Sequence, residues 1–410
     1  MRAFYTTAVR FYSLIISLAA FFGKKKAKQW INGRKNWSLD LSQSIPTNKK
    51  LIWFHAASLG EFEQARPLIE KIKKEKPNFF ILLSFFSPSG FEIQKEYKFA
   101  DKVCYIPLDT PSNARKFIDI ITPELSIMVK YEFWFNILNE LEKRQLKTIL
   151  ISGIFRPSQH FFKWYGGWFR KQLKVFDTFF LQNKKAQALL NDIGYNNTVI
   201  SGDTRFDRVY DLAQERYESK RIEAFCSQQS TLIFGSSWDK EHDFAKQLSN
   251  ANWDIKIIIA PHEIEKSKMV VLKKSFDGQA ILWSELSKNE IPSKTKVLII
   301  DQIGMLSKIY RYATVAIIGG GFGAGIHNVL EAAVYGCPTI FGPNYKKFQE
   351  AKDLIKEHGA YSIADYSSLK STIQQLLTDS AFHATTAAKA KKYVEQHAGA
   401  TEQVFHTIFK

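Results

Sequence analysis

Ser58, Gly60 and Glu61 lie in the stretch "HAASLGEFEQARPLI", directly after the apolar run Leu51–Phe54. A carboxylate at the carboxyl end of a buried strand, where a helix begins, can take a proton from a hydroxyl as that hydroxyl attacks. The spacing Ser58-x-x-Glu61 also fits a capping box, with Ser58 as N-cap and Glu61 reaching back to its N–H. Pro67 stands nine residues past Ser58, where a continuous helix loses a hydrogen bond and is expected to kink or restart. The spacing alone leaves both roles open for Glu61.

A second constellation lies in "AIIGGGFGAGIHNVLEAAVYGCPTIFGP", residues 316–343. Gly319, Gly320, Gly321, Gly323 and Gly325 follow an apolar run and precede a helical pattern. Such a turn lets backbone N–H groups approach an anion, or simply makes a tight turn. It has neither a P-loop Lys nor a good dinucleotide fingerprint. Asn328 and Glu331 stand three apart at the start of the helix, where the carboxylate suits ribose hydroxyls, or else the helix N-terminus. His327 and Asn328 are also possible caps. In "GSSWDKEHDF", Ser236 and Ser237 suit a phosphate or an N-cap equally. Gly loop, Asn and Glu together fit a nucleotide-sugar donor.

These turns need strands to hold them. Short apolar runs alternate with amphipathic segments along the chain, and the pattern restarts near residue 230. Expected strands cover 51–54, 79–84, 125–129, 148–151, 178–181 and 198–200, then 231–235, 255–260, 297–300, 314–319 and 339–341. The expectation is α/β: two Rossmann-like, doubly wound parallel-sheet domains facing a central cleft. Their bounds would be 36–207 and 231–410, with residues 208–230 as linker and the last helix free to cross back. Every turn named above then falls at the carboxyl end of a strand.

The chain has 410 residues and a formal net charge of +17. Residues 1–50 hold ten Lys and Arg against the single acid Asp40. The apolar run Phe11–Phe22 precedes Lys24, Lys25, Lys26 and Lys28. Twelve helical residues reach about 18 Å, short of the ~30 Å bilayer core. Residues 1–35 therefore read as an interfacial or partly inserted anchor on an anionic cytoplasmic surface. A basic nucleic-acid-binding protein would spread its charge along a groove instead. The segment 160–176 mixes aromatics with Lys and Arg and suits either a core helix or an acyl-chain surface. The cysteines, Cys104, Cys226 and Cys337, form no CxxC pair, and the nine His show no ligand spacing, so no metal is expected.

The ordered set "FHAASLGEFEQARPLI", "SFFSPSGFE", "YIPLDTPSNARKFI", "YEFWFNIL", "GDTRFDRV", "GSSWDKEHD" and "GGGFGAGIHNVLEAAVYGCPTIFGPNYKKFQEA" resembles the 3-deoxy-D-manno-octulosonic acid (Kdo) transferases of lipopolysaccharide synthesis. The resemblance implies a GT-B fold and an inverting, metal-independent transfer without a cofactor. CMP-Kdo would be the donor and a lipid A precursor the acceptor, on the cytoplasmic face of the bacterial inner membrane, with no nucleic-acid partner. It implies Glu61 as general base and Glu132 as a second acid near the reaction centre. Ser236, Ser237, His262, Gly319, Gly320, Gly321, Asn328 and Glu331 would bind the donor. Ser58, Gly60, Arg156 and Arg205 would meet the acceptor or the sugar carboxylate. The chain departs from the family pattern at His262, where Arg is common, at Met305 and at Ile326. A UDP-sugar transferase or epimerase of the same fold, and a non-catalytic membrane adaptor, are the alternatives.

Overall fold

The computed structural model describes residues 1–286 and 294–410. The chain forms two compact units, 1–208 with 398–410, and 209–397. The division falls inside the helix Arg205–Gln214, and the helix Lys220–Cys226 belongs to the second unit.

The first unit holds a seven-stranded sheet in the order β3-β2-β1-β4-β5-β6-β7. Its strands are β1 Leu51–Ala56, β2 Phe80–Phe85, β3 Lys102–Tyr105, β4 Leu125–Val129, β5 Thr148–Gly153, β6 Thr178–Leu181 and β7 Thr198–Ile200. All these neighbours run parallel. Strand alternation sorts the side chains into two cores. Trp53, Leu82, Met128 and Leu150 face one layer of helices. Ile52, Phe54, Ile81 and Ile127 face the other. With both faces covered, the central strands read as continuous apolar runs.

The second unit repeats this plan in the order β10-β11-β9-β8-β12-β13-β14. Its strands are β8 Ser230–Ser237, β9 Ile255–Pro261, β10 Ala280–Leu282, β11 Val297–Ile299, β12 Val315–Ile318, β13 Thr339–Phe341 and β14 Ala360–Ser362. In each sheet the strand order reverses beside the first strand, between β1 and β4 and between β8 and β12. A crevice opens beyond the strand ends at such a point, and ligands bind there.

Three helices open the chain, α1 Arg2–Phe21, α2 Lys25–Asn32 and α3 Trp37–Ser44, and α4 Leu59–Glu75 follows β1. The first has 20 residues rather than the expected twelve, so it reaches about 30 Å. By length and composition it is able to cross a membrane. Arg10 does not end it, because that residue lies on the exposed side. The inner side is tied to the first unit. Tyr5 Oη donates to Asp109 Oδ2 at 2.7 Å, and Arg2 Nε donates to Asn136 Oδ1 at 2.8 Å. Phe4, Phe11, Leu14, Ile15, Leu18, Phe21 and Phe22 remain exposed.

Arg34 fastens the segment after α2. Its guanidinium donates to the carbonyls of Ile106, Trp30 and Phe86 and lies 4.0 Å from the Trp30 ring centroid and 5.2 Å from that of Phe86. Burial lowers its pKa to about 9.

Pro67 does not break α4, which runs unbroken through it with Phe62, Ala65, Leu68, Ile69 and Ile72 buried. Packing of this apolar face outweighs the missing backbone bond. The C-terminal helix Ala400–Ile408 returns to this core with Val404 and Phe405. Asp207 receives its first turn, accepting the N–H groups of Gly399 and Thr401 and the Thr401 hydroxyl.

Candidate active site

In the first unit, the turns after four strands meet around Tyr131. Glu61 follows β1, Tyr131 and Glu132 follow β4, Arg156 follows β5, and Asp203 and Arg205 follow β7. Burial raises the Tyr131 pKa; Arg156 and Arg205 oppose this, and Glu61 and Asp203 add to it. Arg156 Cζ lies 5.8 Å and Lys130 Nζ 5.2 Å from the Tyr131 ring centroid. The fold thus brings Ser58, Gly60, Glu61, Arg156 and Arg205 to the carboxyl end of the first sheet. Lys130 takes a left-handed φ of 65° at the head of this turn. Non-glycine residues hold that conformation only where their surroundings impose it.

The capping box, one of the two readings of the Ser58-x-x-Glu61 spacing, is not formed. Ser58 is the N-cap of α4, but its side chain caps no backbone N–H. The Ser58 hydroxyl donates instead to Glu61 Oε2. Glu61 Oε1 has no hydrogen-bond partner among the described residues.

Arg205 is already paired. Its Nη2 lies 2.8 Å and its Nε 3.0 Å from Asp203 Oδ2, and Gln64 Nε2 donates to Asp203 Oδ1 at 2.9 Å. Burial pushes the Asp203 carboxyl up. Arg205 and the hydrogen bonds outweigh it, leaving the pKa below the usual carboxylate value.

Glu132 is buried, with two N–H donors on one oxygen. His55 Nε2 lies 3.1 Å and Trp134 Nε1 2.7 Å from Glu132 Oε2. His55, wholly buried, reaches Ser84 Oγ through Nδ1 at 2.8 Å.

In the second unit, the turns after β8, β9 and β12 converge. Ser236 has φ 50° at an irregularity in β8. A Cβ on Gly319 would lie 2.1 Å from the Ser236 carbonyl oxygen, so only glycine allows this approach. Neither serine caps the following helix, Asp239–Ser249, whose N-cap is Trp238. Ser237 Oγ lies 3.0 Å from His242 Nε2.

Spacing arguments missed Glu241. Its carboxylate accepts from Trp238 N–H and Gly320 N–H, each at 3.0 Å. Burial raises its pKa against these bonds. The N–H groups of Gly319, Gly323 and Gly325 are also bonded within the protein. The glycine turn therefore serves close backbone packing more than a wholly open anion cradle. Glu241 stands three residues past the N-cap, and that spacing was the available signal.

His262 stacks between Trp238 and His327, with ring centroids 4.7 and 4.3 Å away. Trp238 Nε1 donates to His327 Nε2 at 3.1 Å. Burial, helped by His262, lowers the His327 pKa to about 4. Asn328 Nδ2 donates to Glu331 Oε1 at 3.1 Å, while Asn328 Oδ1 accepts from the N–H of Leu330, the first residue of a short helix whose N-cap is Val329. Met305 and Ile326 are buried. Among the described residues, no cluster of three His, Cys, Asp or Glu side chains is arranged to hold a metal ion.

Residues 33–208 match the family described as 3-deoxy-D-manno-octulosonic-acid transferase (kdotransferase). A 3-deoxy-D-manno-octulosonic acid transferase of Rickettsia felis is 28% identical, over 94% of this chain and 86% of its own length. One from Aquifex aeolicus is 25% identical, over 82% and 88%. Among solved structures, a UDP-GlcNAc 2-epimerase from Neisseria meningitidis superposes with a TM-score of 0.61 at 13% identity, covering 88% of this chain and 99% of that one. That likeness concerns the fold, two parallel-sheet domains of GT-B type. The sequence relatives span both units, and along them the chain is similar to the 3-deoxy-D-manno-octulosonic acid transferases.

Proposed function

We propose that this chain, a Kdo glycosyltransferase of lipopolysaccharide synthesis, moves Kdo from CMP-Kdo to a hydroxyl of a lipid A precursor with inversion. The observation that carries the reading is Glu61 at the carboxyl end of β1, beside Tyr131 and near two arginines. Ser58 holds one carboxylate oxygen, and the other is left for the acceptor hydroxyl. As the acceptor hydroxyl oxygen bonds to the anomeric carbon of Kdo, Glu61 takes the hydroxyl proton. The bond from this carbon to the phosphate oxygen breaks, and CMP leaves with the electron pair. Such a base contributes roughly 10²–10⁴-fold.

Arg156 is suited to the Kdo carboxylate or an acceptor phosphate. The donor nucleotide is assigned to the second unit, with Asn328 and Glu331 toward the ribose and Ser236, Ser237, His262 and Gly319–Gly321 around the phosphate. The exposed apolar side of α1 and Lys24–Lys28 support attachment to the cytoplasmic face of the inner membrane.

The test is CMP release from CMP-Kdo with a detergent-solubilised lipid A precursor, for wild type and Glu61→Gln. A loss of about a hundredfold or more in the folded variant is expected. Full activity in Glu61→Gln would return Glu61 to a structural role. Turnover of UDP-sugars with none of CMP-Kdo would overturn the donor assignment.

A further inference from the structure

Two turns of the second unit are joined through one buried carboxylate. Glu241 lies in the first turn of the helix Asp239–Ser249 and is 1% exposed. Its Oε2 accepts from Trp238 N–H and its Oε1 from Gly320 N–H, each at 3.0 Å. The first bond is the ordinary one for an acid three residues past an N-cap. The second leaves the helix and takes hold of the glycine turn after β12.

Trp238 joins the same two turns a second time. Its Nε1 donates to His327 Nε2 at 3.1 Å, and His327 N–H donates to the Gly319 carbonyl at 3.1 Å. The His327 ring lies against the glycine turn, since a Cβ on Gly320 would stand 3.2 Å from Nε2. An indole only donates, so Nε2 accepts and neutral His327 carries its proton on Nδ1. Burial favours that neutral ring and lowers its pKa to about 4. Four hydrogen bonds thus close a circuit through Glu241, Trp238, His327 and the Gly319–Gly320 backbone.

The circuit suits a carboxylate. Two N–H donors face it, and a carboxylate accepts through both oxygens where an amide accepts through one. Burial works against the charge and raises the Glu241 pKa. A cap alone does not need such burial, because the exposed Asp365 caps the helix Tyr366–Thr378.

We infer that Glu241 and Trp238 are positioning residues for donor recognition: they lock the turn after β8 to the glycine turn, so that Ser236, Ser237 and Gly319–Gly321 meet the donor phosphate as one preformed rim. This rests on the donor reading given above. A rim formed before binding costs no ordering when the donor arrives.

The test is steady-state kinetics of the full chain with CMP-Kdo and the detergent-solubilised lipid A precursor. In Glu241→Gln the amide oxygen keeps one N–H and the NH₂ group is set against the other, so the turns part. The expected result is a CMP-Kdo KM raised about tenfold or more, with kcat at saturating donor and the acceptor KM within about twofold of wild type. Trp238→Phe keeps the backbone N–H and removes only the bond to His327, and a donor KM raised about threefold is expected. Trp238 is 40% exposed, so this variant folds even where Glu241→Gln does not. A wild-type donor KM in both variants would overturn the inference. A fall in kcat with the donor KM unchanged, or an equal rise in donor and acceptor KM, would overturn it in favour of a purely structural role. If wild type turns over UDP-sugars and no CMP-Kdo, the transfer reading fails, and the same split read with the UDP-sugar decides the inference by itself.

Discussion

Asp203 offers the sharpest quantitative check, because it supports both the fold and the charge beside Tyr131. It is 5% exposed and receives Gln64 Nε2, the Arg205 N–H and the Arg205 guanidinium. Asp203→Ala strands the fully buried Gln64 amide, whose Oε1 already has no hydrogen-bond partner among the described residues. An orphaned buried amide costs about 1–3 kcal/mol. The Arg205 side chain is 25% exposed, so its charge rehydrates at a smaller cost. The expected loss is about 3 kcal/mol for Asp203→Ala. It is about 1 kcal/mol for Asp203→Asn, which keeps the oxygen facing Gln64 and loses the charge. Hydrogen exchange in α4, β5 and β7 under graded urea measures both. The sign of the pH dependence follows from the lowered pKa. The ionised carboxylate stabilises the fold above the unfolded value near 4, and this is lost as pH falls through the folded value. Wild type and Asp203→Asn should therefore converge only once pH falls below the folded value, itself under 4. Equal losses for the Ala and Asn variants would refute the role given to Gln64. A gap that persists into acid would refute the charge argument.

Asp207→Ala should free the C-terminal helix, with an expected loss of about 2 kcal/mol and early proteolysis after residue 398. Gly319→Ala should abolish donor binding or the folding of the second unit, since its Cβ meets a backbone oxygen that has no room to retreat; calorimetry with CMP distinguishes the two. His327 has a folded pKa below its unfolded one, so stability present above about pH 6.5 should fall away toward pH 4, and His327→Gln should flatten that slope in thermal melts. Leu14→Glu with Leu18→Glu should lower sedimentation with anionic vesicles while leaving CMP release on a detergent-dispersed acceptor near wild type.

The central strands were legible because burial on both faces writes them as apolar runs. The strands β3, β10 and β14 were not. Each is an edge strand of three or four residues, and β3 opens on Lys102, so no long run marks it. The glycine turn and Glu61 were visible from strand-to-turn spacing. What Glu61 bonds was not, since one spacing served both a backbone cap and the Ser58 hydroxyl. The His55–Glu132 and Gln64–Asp203 pairs lie 77 and 139 residues apart, and only the closing of the sheet brings them together. Local patterns also hid the reach of α1, because Arg10 reads as an end when its exposure is unknown.

The ring contacts around Phe86 tie α1 to the carboxyl end of the first sheet. Tyr12 of α1 lies 6.0 Å from Phe86, Arg34 covers the same ring, and Phe86 lies 4.6 Å from Trp134, which grips Glu132. The first two helices are thus a wall of the candidate site. A form begun after residue 35 would lose Tyr12, Trp30 and Arg34 together and leave Phe86 covered by Trp134 without them. Poor turnover by such a truncated enzyme would then report a slackened Trp134, and returning it to a bilayer would not restore what the missing helices hold in place.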